Sequence, residues 1–139
     1  MILYTFTLHF LGALPEEPQS LPTSGEMSSP NFPHNYPNDL HERKTIKVAK
    51  GYVIKIHFTN FELESNDDVD YVEITDGDGT FLGRFGAKHS GSRFKASRIS
   101  NITSVTDTVH VLFHTDESVT MRGWRLEWSK WKLRLEGWS

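Results

Sequence analysis

The chain of 139 residues contains no cysteine. That absence excludes disulfides, thiolate metal sites and cysteine nucleophiles. It is compatible with the cytosol and with secretion alike. Long hydrophobic runs are also missing. The most apolar stretch, MILYTFTLHFLGAL at residues 1–14, is broken by His9 and stops before Pro15, too short to span a bilayer as a helix. There is no excess of base: 15 Lys and Arg face 18 Asp and Glu, for a net charge of −3. Without a basic stripe, a nucleic-acid partner is not expected. No segment carries a capped apolar stripe at helical spacing. No Gly-x-Ser-x-Gly elbow is present either, which removes the signature of a serine hydrolase.

What is there leans toward β structure. Four tryptophans, four tyrosines and nine phenylalanines accompany many Val, Ile and Thr residues. Residues 1–14 have the apolar segment of a signal peptide but not its basic start. Residues 15–24, rich in Pro and Glu, read as an extended linker. From Gly25 the prolines pair with aromatics (Ser28-Ser29-Pro30-Asn31-Phe32-Pro33, then Tyr36-Pro37-Asn38), which suits a turn-rich edge segment. Runs of period-two alternation follow. Tyr52, Ile54, Ile56 and Phe58 alternate with Lys55 and His57, Val72 and Ile74 flank Glu73, and Val109, Val111 and Phe113 alternate with His110 and Leu112. Trp124, Leu126 and Trp128 alternate with Arg125 and Glu127 on a last strand, with both tryptophans expected in the core. Gly77-Asp78-Gly79 marks a hairpin turn, with Phe81 to Phe85 returning. Residues 86–106 read as a long polar loop with one short strand at most. The pattern predicts an all-β, antiparallel sandwich over residues 25–129, followed by a tail, 130–139, of unassigned role.

The chemistry concentrates in Phe58 to Val72 (FTNFELESNDDVDYV), where Glu62, Glu64, Asp67, Asp68 and Asp70 crowd together. Such a loop is either solvated or neutralised by a cation. A second acidic pair, Asp116 and Glu117, follows the 109–113 strand. Asp76-Gly77-Asp78-Gly79 resembles the start of an EF-hand, but Arg84 and Ala87 stand near where further acids would be needed. The seven histidines show no metal spacing; His57, His110 and His114 sit singly on strands. A glycosidase pair of Glu64 and Asp116 has no evident sugar cleft to serve. Asn101-Ile102-Thr103 is an N-glycosylation sequon.

Taken in order, these motifs resemble the CUB domain. They are Ser28 to Pro37, Phe61-Glu62-Leu63-Glu64, Asp70-Tyr71-Val72, Leu82-Gly83-Arg84-Phe85, Phe113 to Ser118, and Gly123-Trp124. The likeness is strongest to the CUB modules of the complement-initiating and mannan-binding-lectin-associated serine proteases. It implies a jelly-roll-like β-sandwich in a secreted, extracellular protein, without catalytic activity. By motif it implies one Ca²⁺ held by Glu64, Asp70 and Asp116, with an oxygen from Ser118 nearby. The outer oxygens of the three acids would then engage a lysine of a protein partner, in some relatives on a collagen-like stalk, within a multivalent complex. A calcium-independent adhesion or scaffold module is the alternative.

The sequence departs from the family pattern in one place. Relatives commonly carry a cysteine between this Glu and Asp, bonded to another just after the Gly-Arg-Phe segment. Here both are missing, and the Glu64–Asp70 spacing is shorter by about two residues. A native bridge is commonly worth about 2–4 kcal/mol, so its loss leaves the geometry of the acidic loop less constrained. Asp67 and Asp68 are further candidate ligands.

Overall fold

Strands form where the alternation is strongest. In a computed structural model that describes residues 20–64, 69–91 and 99–133, eight strands and one short turn of 3-10 helix (Ala87–His89) account for the regular structure. In order they are β1 (Ser24–Ser28), β2 (His41–Lys47), β3 (Tyr52–Glu62), β4 (Tyr71–Asp76), β5 (Phe81–Phe85), β6 (Ile102–Thr103), β7 (Thr108–His114) and β8 (Gly123–Lys132). One sheet has the order β1-β8-β3-β6 and the other β2-β7-β4-β5, with every pairing antiparallel. This is the antiparallel sandwich expected from the sequence. Strand β1 begins one residue ahead of the expected domain start, and β8 runs on through Lys132, so the first residues of the tail extend the last strand.

The inward faces supply one continuous core. Ile54, Ile56 and Phe58 from β3, Val72 and Ile74 from β4, Val109, Val111 and Phe113 from β7, and Trp124, Leu126 and Trp128 from β8 are all buried. Aromatic rings meet edge to face at its centre: Phe113 and Trp124 at 5.8 Å, Phe58 and Phe61 at 5.4 Å. A bulge in β3 between Phe58 and Asn60 adds one residue, which lets Phe58 and Phe61 both point inward. It also sets the phase of the next residues, leaving Leu63 and then Glu64 buried.

Strand β2 has no counterpart in the sequence reading. Its run, HERKTIK, places Glu42 and Lys44 in phase with the buried Ile46, so no apolar alternation announces it. The Lys44 side chain, 40% exposed at the sheet edge, donates to the Ser28 carbonyl at 3.2 Å and pairs with Glu42 at 3.2 Å. It thereby links the edge of one sheet to the other.

The start of β8 requires glycine. Gly123 has φ +94°, and a Cβ there would lie 1.9 Å from Ser29 Oγ. That hydroxyl accepts the Trp124 N–H at 3.0 Å and fixes the entry of the tryptophan strand.

Candidate metal centre

Three connections converge at one end of the sandwich. Glu64 follows β3, Asp70 precedes β4, and Asp116 follows β7. Each offers one carboxylate oxygen, and the three atoms all lie within 4.8 Å of one another. Glu64 and Asp70 are buried, and Asp116 is half-buried. Ser118 sits beside them, exposed, its backbone N–H donating to Asp116 Oδ1 at 3.2 Å. Asp67 and Asp68 fall outside the described residues.

Tyr36, in the β1–β2 connection, organises the trio from beneath. Its hydroxyl donates to Asp70 Oδ2 at 2.6 Å and accepts the Glu64 N–H at 3.1 Å. The other Asp70 oxygen accepts the Asp116 N–H at 2.9 Å. A buried phenol and one buried carboxylate therefore fix the relative positions of all three acids. The sequence reading used Tyr36 only as part of a motif; its spacing from prolines gave no sign of this role.

The electrostatics follow from burial. Burial pushes the Asp70 carboxyl above its usual value of 3.8; the bonds from Tyr36 and the Asp116 N–H pull the other way, the nearby Asp116 charge adds to the rise, and His114 opposes it. The Tyr36 hydroxyl is pushed far above the usual phenol range, chiefly by burial and then by its bond to Asp70. It stays a donor throughout the physiological range. Three carboxylates this close, two of them out of water, repel one another unless a cation or a proton intervenes.

The donor set fits a hard cation. It is all oxygen, and no histidine joins it. Calcium takes oxygens at about 2.3–2.6 Å, so two ligands on opposite sides of one ion stand about 4.6–5.2 Å apart, a span that covers the separations within the trio.

The end of β3 is anchored without a disulfide. Ser90 Oγ accepts the Leu63 N–H at 2.7 Å and donates to the Leu63 carbonyl at 3.0 Å. The next residue's N–H, that of Gly91, reaches the Phe61 carbonyl at 3.0 Å. These bonds tie the end of β3 to the segment after β5. By the resemblance, the missing bridge would join neighbouring positions, one between Glu64 and Asp70 and one just after Phe85.

The other acidic sequence has a different role. Asp76 is fully buried and accepts from the N–H groups of Gly77 at 2.8 Å and Thr106 at 3.1 Å, as well as from the Thr106 hydroxyl. Gly79, at φ +90°, closes the expected hairpin turn through its N–H to the Asp76 carbonyl. Asn101 is exposed at the start of β6. His57, His110 and His114 are half-buried on their strands, as expected. Trp124 and Trp128 are buried, whereas Trp131 is half-exposed, at 51%. No described helix is long and apolar enough to cross a membrane.

Comparison with known proteins agrees with this architecture. The CUB domain family model matches residues 18–128. Human cubilin is 36% identical over 110 residues, covering 75% of this chain and 3% of cubilin. Cubilin of Sus scrofa is 34% identical over 108 residues, covering 73% of this chain and 3% of that protein. Human mannan-binding lectin serine protease 1 is 29% identical over 110 residues, covering 76% of this chain and 14% of the protease. The chain thus spans a small fraction of these relatives. Among solved structures, the CUB1-EGF-CUB2 domain of human MASP-1/3 matches with a TM-score of 0.71 at 24% identity, over 81% of this chain and 43% of that one. The MASP-1 CUB2 domain bound to Ca²⁺ matches with a TM-score of 0.62 at 24% identity, over 79% of this chain and 95% of that one. Both share the jelly-roll-like sandwich.

Proposed function

Because the chain belongs to the CUB domain family, we propose that it is a noncatalytic, extracellular interaction module. In this reading Glu64, Asp70 and Asp116 hold one Ca²⁺ and present their outer oxygens to a lysine of a protein partner. The observation that carries it is the convergence of three acids from three connections, their oxygens within 4.8 Å. The Ca²⁺-bound state of a CUB domain with the same fold lends support.

When bound, the cation supplies positive charge that offsets the mutual repulsion of the trio. The chain's own residues do the rest. Tyr36 holds Asp70 and the Glu64 backbone in place, and Asp116 receives its orientation through its N–H to Asp70. Asp116, the half-buried member, stands nearest to solvent. A lysine ammonium suits such a target, because its compact charge offers three donors on a flexible stem. One such contact is weak, so a collagen-like stalk or another repeated display would supply avidity.

Calorimetric titration tests the metal. Wild-type protein should bind one Ca²⁺, and Asp116→Ala should bind none. A wild-type chain that shows no heat and no thermal shift at millimolar Ca²⁺ would leave a calcium-independent adhesion module in its place.

A further inference from the structure

A second feature lies on the outer face of the β1-β8-β3-β6 sheet, away from the acidic trio. A groove of about 550 Å³ runs across these strands, with Glu26, Lys55, His57, Asn101, Ser129 and Trp131 among its lining residues. Its lining is mixed, with the rings of Trp128 and Trp131 beside polar side chains. Trp131 is half-exposed yet held in place: its Nε1–H donates to Ser129 Oγ at 3.0 Å, and the Lys55 ammonium sits 3.6 Å from the ring centre. A tryptophan fixed this way at the surface offers a rigid platform at little further cost in entropy.

The sequon stands on the rim of this groove. Exposure alternates around β6: Asn101, just ahead of the strand, and Thr103 are exposed, while Ile102 is buried between them at 8%. Asn101 Oδ1 faces His57 Nδ1 at 3.3 Å. An amide oxygen only accepts, so His57 is the donor, and the amide nitrogen of Asn101 is left for other chemistry. The strand register puts Thr103, Lys55 and Ser129 in one row across three strands, with the indole of Trp131 folded over it. Asn101 continues the register beside His57 and Glu127, two residues along from Ser129, so the indole over Ser129 is about 10 Å away across the strands and about 7 Å along them, within reach of two or three sugar rings.

We propose that Asn101 carries an N-linked glycan whose first sugars lie in this groove and pack against Trp131. This rests on the extracellular reading above, since the modification requires the secretory route. The Nδ2 nitrogen bonds to the anomeric carbon of an oligosaccharide supplied by a lipid-linked diphosphate donor, through the host's glycosylation enzyme. The carbon–oxygen bond to phosphate breaks, the lipid diphosphate leaves with its electron pair, and one amide proton passes to a base of that enzyme. The groove's chemistry matches a pyranose. Lys55 covers one face of the indole; the apolar C–H face of a sugar packs on the exposed remainder of the ring, and its hydroxyl groups find Glu127 and Ser129 as partners. Covalent attachment at the rim gives the sugars a high effective concentration, so a weak site suffices.

The test uses the full chain directed into the secretory pathway of a eukaryotic host. Intact mass should show one oligosaccharide on wild type, absent from Asn101→Gln and from Thr103→Ala and retained on Trp131→Ala. Nuclear Overhauser contacts should connect the Trp131 indole to N-acetylglucosamine protons. An endoglycosidase acting on the native protein should trim Trp131→Ala roughly threefold faster than wild type, because the stacking contact protects the sugar. A secreted wild-type chain without sugar at Asn101 would overturn the proposal. So would an attached glycan with no contact to Trp131 and equal trimming of both proteins. Ca²⁺ titration of Asn101→Gln should match wild type, so this proposal and the metal reading fail independently.

Discussion

Asp116 and Asp70 lie 46 positions apart, yet the N–H of one is bonded to the carboxylate of the other. Removing either acid therefore alters the position of the other as well as the charge. Asp116→Ala should abolish the stabilisation by Ca²⁺, while Glu62→Ala should leave it within error, because Glu62 is no part of the trio. Calorimetry on the two variants checks this. Tyr36→Phe keeps the ring and deletes one hydroxyl, leaving a buried carboxylate oxygen and a buried N–H without their partner. The expected cost is about 1–3 kcal/mol of stability and roughly tenfold or more in Ca²⁺ affinity, as for other outer-shell partners of ligands. Asp70 also predicts a pH dependence. Its folded pKa is raised, so the folded state favours the protonated form. The stability it contributes is fully present below pH 3.8 and is lost as the pH rises through the folded value. In chelator, the melting temperature of wild type relative to Asp70→Asn should fall between pH 4 and pH 7. Added Ca²⁺ should reverse that trend at pH 7.

At the scale of elements, the two bonds of Ser90 to Leu63 tie the end of β3 to the segment after β5. Ser90→Ala should destabilise the fold by about 1–2 kcal/mol and weaken Ca²⁺ binding through the freed end of β3. Urea melts and titration together check both effects. Elements built on apolar alternation were legible in the sequence. The faces of β3, β4, β7 and β8, the hairpin at Gly77–Gly79 and the core placement of Trp124 and Trp128 follow from period two and turn chemistry. Strand β2 was not legible, because an edge strand with Glu42 and Lys44 in phase with Ile46 has no apolar phase to read. The grouping of Glu64, Asp70 and Asp116 was legible only through the order of motifs. Crowded acids in one loop do not reveal which of them meet, and the roles of Tyr36 and Ser90 depend on hydrogen bonds across 28 and 27 positions. Those are properties of the folded chain, invisible to local pattern.

For the whole molecule, a ligand that binds only the folded state stabilises it by mass action. At a hundredfold excess of Ca²⁺ over Kd the gain is about 2.7 kcal/mol, roughly a 10 °C rise in melting temperature for a domain of this size. Coincident melts in Ca²⁺ and in chelator would remove the metal from the account. Binding to an array of lysine-bearing, collagen-like peptides should fall with added salt, vanish with chelator, and drop when arginine replaces lysine. Surface plasmon resonance on a multivalent display reads all three. The pairing of β1 with β8 has a mechanical side. Ser24 lies opposite Ser129, Lys130 N–H bonds to the Thr23 carbonyl, and Leu133 N–H bonds to the Gly51 carbonyl, so both ends of the described domain leave from one pole. The ten residues of β8 put the acidic trio about 33 Å away, beyond Gly123 at the other pole. Tension applied through the chain would then open the β1–β8 ladder one hydrogen bond at a time, like a zipper, at low force. The opening would start far from the acidic trio and reach it last, so the arrangement of Glu64, Asp70 and Asp116 would outlive the first stages of yielding.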